Sequence, residues 1–288
     1  DTVVAGVPQA TAGALTNVGE AVVFERDGAQ WSVEDVLTPP AAISSHFFGI
    51  AVDIDGDRIV VGADGGNSIS NVGAAYVFHR ASGVWSLEAE LVAPDVGTGD
   101  QFGTTVAISG DTVAVGSPRH DGVEGSNIGA VNIFDRVAGS WRHSHELLSP
   151  VPSANDTFGG TLALDGDLLW VRETDTGPSA SDVIHAFRRN AGVWQPEPVE
   201  SPGFSGLNTA ITRHITLSGQ RAAFGSLSQG VSGRAFIYRH EATGWVLEQT
   251  LDEPAAIPNN LFGFALALDG GTLAVGAIDA GPGFVGRV

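Results

Sequence analysis

Residues Phe102 to Leu147 read FGTTVAISGDTVAVGSPRHDGVEGSNIGAVNIFDRVAGSWRHSHEL, and the rest of the 288-residue chain can be laid out as copies of this unit. Four short runs inside it alternate apolar and polar side chains: Gly103–Ser109, Thr112–Gly116, Ala130–Arg136 and Trp141–Leu147. Period-two alternation, Val and Ile enrichment and the Gly-bearing turns between the runs predict four β-strands, A to D. Ser109-Gly110 falls between A and B as a two-residue hairpin turn that needs positive φ. The same turn chemistry recurs at Asp55-Gly56, Asp165-Gly166, Ser218-Gly219 and Asp269-Gly270.

Strand A opens on Phe-Gly at Phe48-Gly49, Phe102-Gly103, Phe158-Gly159 and Phe262-Gly263. One copy has lost the pair near Ile211 to Arg213, yet His214–Leu217 keeps the alternation, so that copy is still expected to form its sheet. Strand D opens on Trp31, Trp85, Trp141, Trp194 and Trp245, spaced 54, 56, 53 and 51 residues apart. A period of about fifty residues carrying four strands is that of a propeller blade, a small antiparallel sheet that buries its faces only against neighbours.

After strand B the chain reads Val115-Gly116-Ser117-Pro118, Val61-Gly62-Ala63 and Val275-Gly276-Ala277. With Phe-Gly at its head, the unit resembles the FG-GAP repeat that builds the integrin-type β-propeller. The likeness is closest to the form with a Trp-led outer strand found in many bacterial extracellular proteins. The expected fold is all-β, a β-propeller of four-stranded antiparallel blades forming one domain over residues 1–288.

Asp1–Gly6 matches Asp111–Gly116, so the chain is expected to open on a strand B, and Gly286-Arg287-Val288 matches the opening of strand C at Gly233-Arg234-Ala235. Parts of six blades are predicted, with incomplete first (1–47) and last (262–288) blades and six or seven blades in the intact domain. The first expectation is an excerpt of a longer propeller. The second is a homo-oligomer in which a strand of another copy completes the broken blades, because an unpaired strand edge templates pairing.

The formal charge is −19, and all 14 basic residues are Arg. So acidic a chain without a basic cluster is expected to bind neither nucleic acid nor anionic membranes. No run is long and apolar enough for a transmembrane helix, so no membrane insertion is expected. Absence of Cys excludes disulfides, thiolate metal sites and a cysteine nucleophile. The extracellular or cell-surface location is what the family resemblance implies.

No Gly-rich phosphate loop, nucleophile elbow or zincin helix appears, so no catalytic residue, metal site or cofactor is assigned. Calcium in integrin-type repeats sits in a longer loop at the A–B hairpin; here Asp53-Ile54-Asp55-Gly56-Asp57 is too short to supply six to eight oxygens. Turn chemistry accounts for Asp55 and Asp57. Asp53 replaces the Ala of Ala107, Ala163 and Ala267, and an exposed position is expected for it. His143 and His145, two apart on a strand D, make half a metal site without an evident third ligand.

Antiparallel order places the short A–B and C–D turns on one face of each blade and the B–C loops and D–A crossings on the other. The latter vary in length and composition, and diversity on a rigid scaffold is where recognition sits. Candidate ligand-binding residues are Arg119, His120 and Asp121 in the loop Pro118–Asn127, and Trp170, Arg172 and Glu173, where a large ring and a charge pair replace small residues. The function expected is a non-enzymatic extracellular interaction or adhesion module binding a protein or glycan through this face. Two readings stand beside it: a structural subunit of a surface layer or fibre, and a carbohydrate-active enzyme whose carboxylates are paired only in space.

Overall fold

Alternation becomes strand along the chain: the computed structural model describes residues 1–65, 72–123, 125–174, 182–200, 209–228, 233–253 and 261–278, and these contain β-strands and no helix. The chain divides into two compact units, Asp1–Gly160 and Thr161–Val288. In the first, β1 (Thr2–Val7), β2 (Glu20–Asp27) and β3 (Gln30–Leu37) form a three-stranded sheet. Two four-stranded blades follow: β4 (Ala51–Asp55), β5 (Arg58–Ala63), β6 (Ala74–Ala81) and β7 (Val84–Leu91), then β8 (Thr105–Ser109), β9 (Thr112–Ser117), β10 (Ala130–Val137) and β11 (Ser140–Leu147).

The second unit repeats the pattern with β12 (Thr161–Asp165), β13 (Leu168–Glu173), β14 (Val183–Asn190) and β15 (Val193–Glu197). Next come β16 (Thr209–Ser218), β17 (Arg221–Ser228), β18 (Arg234–Glu241) and β19 (Gly244–Asp252), and then the pair β20 (Ala265–Asp269) and β21 (Thr272–Gly276). Neighbours within each sheet are antiparallel and in chain order, the topology of β-propeller blades. The blade without Phe-Gly forms its four strands, its strand A running back through an irregularity between Ile211 and Ile215. The strand C opening expected at Gly286–Val288 lies outside the described residues.

The A–B turns carry positive φ at Gly56, Gly110, Gly166, Gly219 and Gly270, as expected. Their register is shifted by one residue from the sequence reading. Ser109 pairs with Thr112, so Gly110-Asp111 makes the turn and Ser109 ends the strand. Only the first central residue has positive φ, the pattern of a type II′ turn. The residue displaced from the turn reaches the neighbouring blade instead. Asp55 Oδ2 accepts from Gly110 N at 2.6 Å, Asp165 Oδ2 from Gly219 N at 2.6 Å and Ser218 Oγ from Gly270 N at 2.9 Å. Each of these side chains thus caps the turn of the next blade.

The Phe-Gly pair lies just before strand A and forms the seam between blades. Phe102 bridges Gly73 in parallel, and Gly103 N donates to Gly116 O at 3.0 Å. A Cβ on Gly62 would stand 2.1 Å from Gly103 O, so the B-strand glycine is there to let two backbones touch. Around the seam, Val60, Val77 and Leu91 of one blade pack with Phe102, Val106, Val113, Val115 and Phe134 of the next, all of them buried. The core is therefore made between sheets, as a repeat that cannot bury its own faces requires.

Asp53 corrects an expectation, because it is not an exposed residue. It lies at the seam, where Oδ1 accepts from Ile54 N at 2.9 Å and Oδ2 from Ile108 N, one blade on, at 2.8 Å. Burial, only partly offset by these backbone hydrogen bonds, pushes its carboxyl up to about 6. Thr216 makes the same kind of contact without charge, its Oγ1 accepting from Leu268 N at 3.2 Å.

Strands C and D share an irregularity in register between Val23 and Phe24, Val77 and Phe78, Ile133 and Phe134, and Ile237 and Tyr238. The extra residues on strand D are Glu34, Glu88, Ser144 and Glu248, each a β-bulge that re-aims a side chain. Glu88 uses its aim to receive Arg58 at 2.9 Å from its own blade and Arg136 at 2.8 Å and Trp141 at 3.2 Å from the next. Burial raises the Glu88 carboxyl, but hydrogen bonds from Arg58, Trp141 and Arg136 outweigh it and hold the group below its usual range.

Candidate functional site

The loop between β9 and β10 is braced by its own backbone. His120 N donates to Ser117 O at 3.1 Å, Gly129 N donates to His120 O at 3.1 Å, and Gly122 and Gly125 bridge each other. Asp121 contributes structurally, its Oδ1 accepting from Asn127 N at 2.8 Å. Asn127, with φ of 51°, ends the loop in the left-handed conformation that Asn tolerates. Arg119 is exposed, and its N–H donates to Asp100 O at 3.2 Å, tying the loop to the crossing that enters this blade.

That tie brings four titratable side chains together. His120 Nδ1 stands 3.0 Å from Asp100 Oδ2, with both side chains about nine-tenths buried at 11% and 10% exposure. On the other side of the ring, His120 Nε2 is 3.5 Å from Glu146 Oε1, on strand β11. Asp95, from the same crossing as Asp100, completes the group: ligand atoms of Asp95, His120 and Glu146 all lie within 4.8 Å of one another. Glu146 is 26% exposed, yet its Oε1 is buried and has no hydrogen-bond partner among the described residues. Burial, and after it the Asp95 carboxylate, push the Glu146 carboxyl above its usual range, although His120 acts in the opposite sense.

On its far side the loop is zipped to the crossing that leaves the blade. Asn155 N donates to Ser126 O at 2.9 Å, Thr157 N to Asn127 O at 3.2 Å and Asn127 Nδ2 to Asn155 Oδ1 at 3.1 Å. These two joined loops carry Val123, 99% exposed, and Val151, 77% exposed, the most exposed large hydrophobic side chains among the described residues.

The other sequence-predicted residues lie in the second unit and have different surroundings. Trp170 is fully buried, its ring 4.9 Å from that of Trp245 and 5.4 Å from that of Tyr238. It belongs to the core with Phe224 and Phe236 and offers no face to a ligand, a correction to the hot-spot reading. Arg172 and Glu173 do not pair with each other. Arg172 reaches Asp182 Oδ2 through Nε at 3.0 Å and Nη2 at 2.7 Å, while Glu173 accepts from His185. Both cross to the beginning of strand C and hold the sheet there.

His143 and His145 do not act together either, for the bulge at Ser144 separates them. His143 Nε2 meets Asn132 Oδ1 at 2.8 Å and His145 Nδ1 meets Ser144 Oγ at 3.2 Å. Sequence reasoning chose His120 but missed Asp95, Asp100 and Glu146. No local spacing marks them, because they come from a crossing and an outer strand.

The FG-GAP repeat family matches residues 31–78 and 85–134, each stretch running from a strand D tryptophan to a strand C phenylalanine. No curated protein matches the chain. Residues 31–78 and 85–134 are thus FG-GAP repeats, and the Phe-Gly seams and four-stranded antiparallel sheets recur beyond them.

Proposed function

We propose that this FG-GAP protein is a non-enzymatic interaction module of the cell exterior, binding a protein or glycan through the B–C loops and D–A crossings. The observation that supports it best is the joined pair of loops carrying Val123 and Val151. Apolar side chains held in water on a braced loop cost free energy alone and are repaid when a partner covers them. FG-GAP repeats are propeller repeats that often serve extracellular binding, and a net charge of −19 disfavours polyanionic partners.

The test is a binding screen of the purified chain against immobilised glycans and extracellular proteins, repeated with a Val123→Asp/Val151→Asp variant. A hit that weakens at least tenfold in this variant, and is unchanged in Val137→Asp near the opposite turns, is expected. Retention in the loop variant with loss in the turn variant would move the site to the other face. Glycan cleavage abolished by one Asp or Glu change would replace the reading with an enzymatic one.

A further inference from the structure

We propose that Asp95, His120 and Glu146 form a binding site for a divalent transition metal of the zinc class, with Asp100 as the residue that positions the imidazole. Three carboxylates gathered around one imidazole are a repulsive arrangement that a cation relieves. The parts of a site are in place. His120 has one ring nitrogen against a buried carboxylate and the other directed to Glu146. A carboxylate on one nitrogen sets the tautomer that leaves the other free to ligate, the arrangement of metal-binding histidines.

Distances agree. Two ligands on a tetrahedral zinc, at about 2.1 Å from the metal, are about 3.4 Å apart. His120 Nε2 and Glu146 Oε1 are already 3.5 Å apart. Asp95 is exposed, and its ligand atom lies within 4.8 Å of both of the others. One nitrogen and two carboxylate oxygens suit zinc or a similar ion; calcium would require six to eight oxygens. Three protein ligands leave a fourth position for water or for a donor atom from a bound molecule.

The loop does not need this set for its own shape. In the first blade the equivalent loop has the same backbone bonds, with Ala10 N donating to Val7 O at 3.1 Å, Gly19 N to Ala10 O at 3.0 Å, and Ala12 and Leu15 bridged. Asn17 there has φ of 52°, matching Asn127. Ala10 stands in the place of His120 and Val36 in that of Glu146. Asp100 keeps one loop duty, accepting from Gly97 N at 2.9 Å. The other members have no structural duty that the first blade shows to be necessary, and the site stands whether or not the loop face binds a macromolecule.

Calorimetric titration of the intact, metal-stripped chain with Zn2+ is expected to show one saturable site, with Co2+ at the same site giving the visible absorption of a tetrahedral ion. His120→Ala should abolish saturable binding while leaving the thermal unfolding of the metal-free chain unchanged, since Ala10 already supports this loop. Glu146→Gln should weaken binding independently, and Asp100→Asn should weaken it about 10- to 100-fold with the Co2+ spectrum altered. His145→Ala, at a histidine outside the set, should bind as the parent does. Zinc held equally well by His120→Ala, absence of saturable binding by the parent, or displacement of Zn2+ by equimolar Ca2+ would overturn the proposal.

Discussion

Asp53 shows how much one seam position can weigh. Its folded-state pKa of about 6 lies above the value of 3.8 for an unperturbed group, so the folded chain holds the proton to higher pH than the unfolded chain does. Removing that proton from the folded state between these values costs stability. Stability should therefore fall as pH rises from about 4 to about 6, by up to roughly 3 kcal/mol, and show no further loss from this group above. Denaturant melts of Asp53→Asn should lack this decline; an unchanged pH profile would place the proton elsewhere. Trp170 makes the complementary case, for a fully buried ring in contact with Trp245 and Tyr238 should cost about 3–5 kcal/mol on replacement by Ala. A small loss in chemical denaturation would mean that the site collapses around the cavity.

Between residue and molecule, the seam and the bulge do the joining. Gly62→Ala must push its Cβ away from Gly103 O, now 2.1 Å from where it would stand, and should cost about 2–3 kcal/mol. Gly110→Ala meets open space and bears only the strain of φ +57°, about 1 kcal/mol. Equal losses in the two variants would show that close approach is not what the B-strand glycine provides. At the bulge, Glu88→Ala leaves Arg58, Arg136 and Trp141 without their shared acceptor and should cost about 2 kcal/mol at neutral pH. Because that carboxyl is held below its usual range, its contribution is present at neutral pH and is lost as the group protonates on acidification. The wild-type advantage over Glu88→Ala should shrink in acid.

For the whole molecule, 33 acidic residues against 14 basic ones set the balance. Charges of one sign repel more in the compact chain than in the unfolded one, and salt screens them beyond about 10 Å at 0.1 M. Raising NaCl from about 20 to about 200 mM should therefore raise the melting temperature by a few degrees in calorimetry, despite weakening the Arg–Glu pairs. A fall would show that the bulge pairs outweigh the general repulsion.

Strand order, blade period and turn glycines were legible in the sequence because each is a local rule repeated about every fifty residues, so errors in one copy are corrected by the others. Even the copy without Phe-Gly kept enough alternation to fold as the rest do. The same reasoning misplaced Asp53 and Trp170, since a single sequence shows which residue departs from the repeat and not whether the space behind it is filled. It also paired Arg172 with Glu173 as chain neighbours, whereas successive strand residues point to opposite faces, and Arg172 found Asp182 just before the next strand while Glu173 found His185 on it. By itself, then, the sequence determined the all-β repeat and its likeness to FG-GAP repeats. Only the tertiary structure decided that Asp95, Asp100, His120 and Glu146 meet, because their proximity is set by how a crossing, a loop and an outer strand converge, and no spacing along the chain encodes that distance.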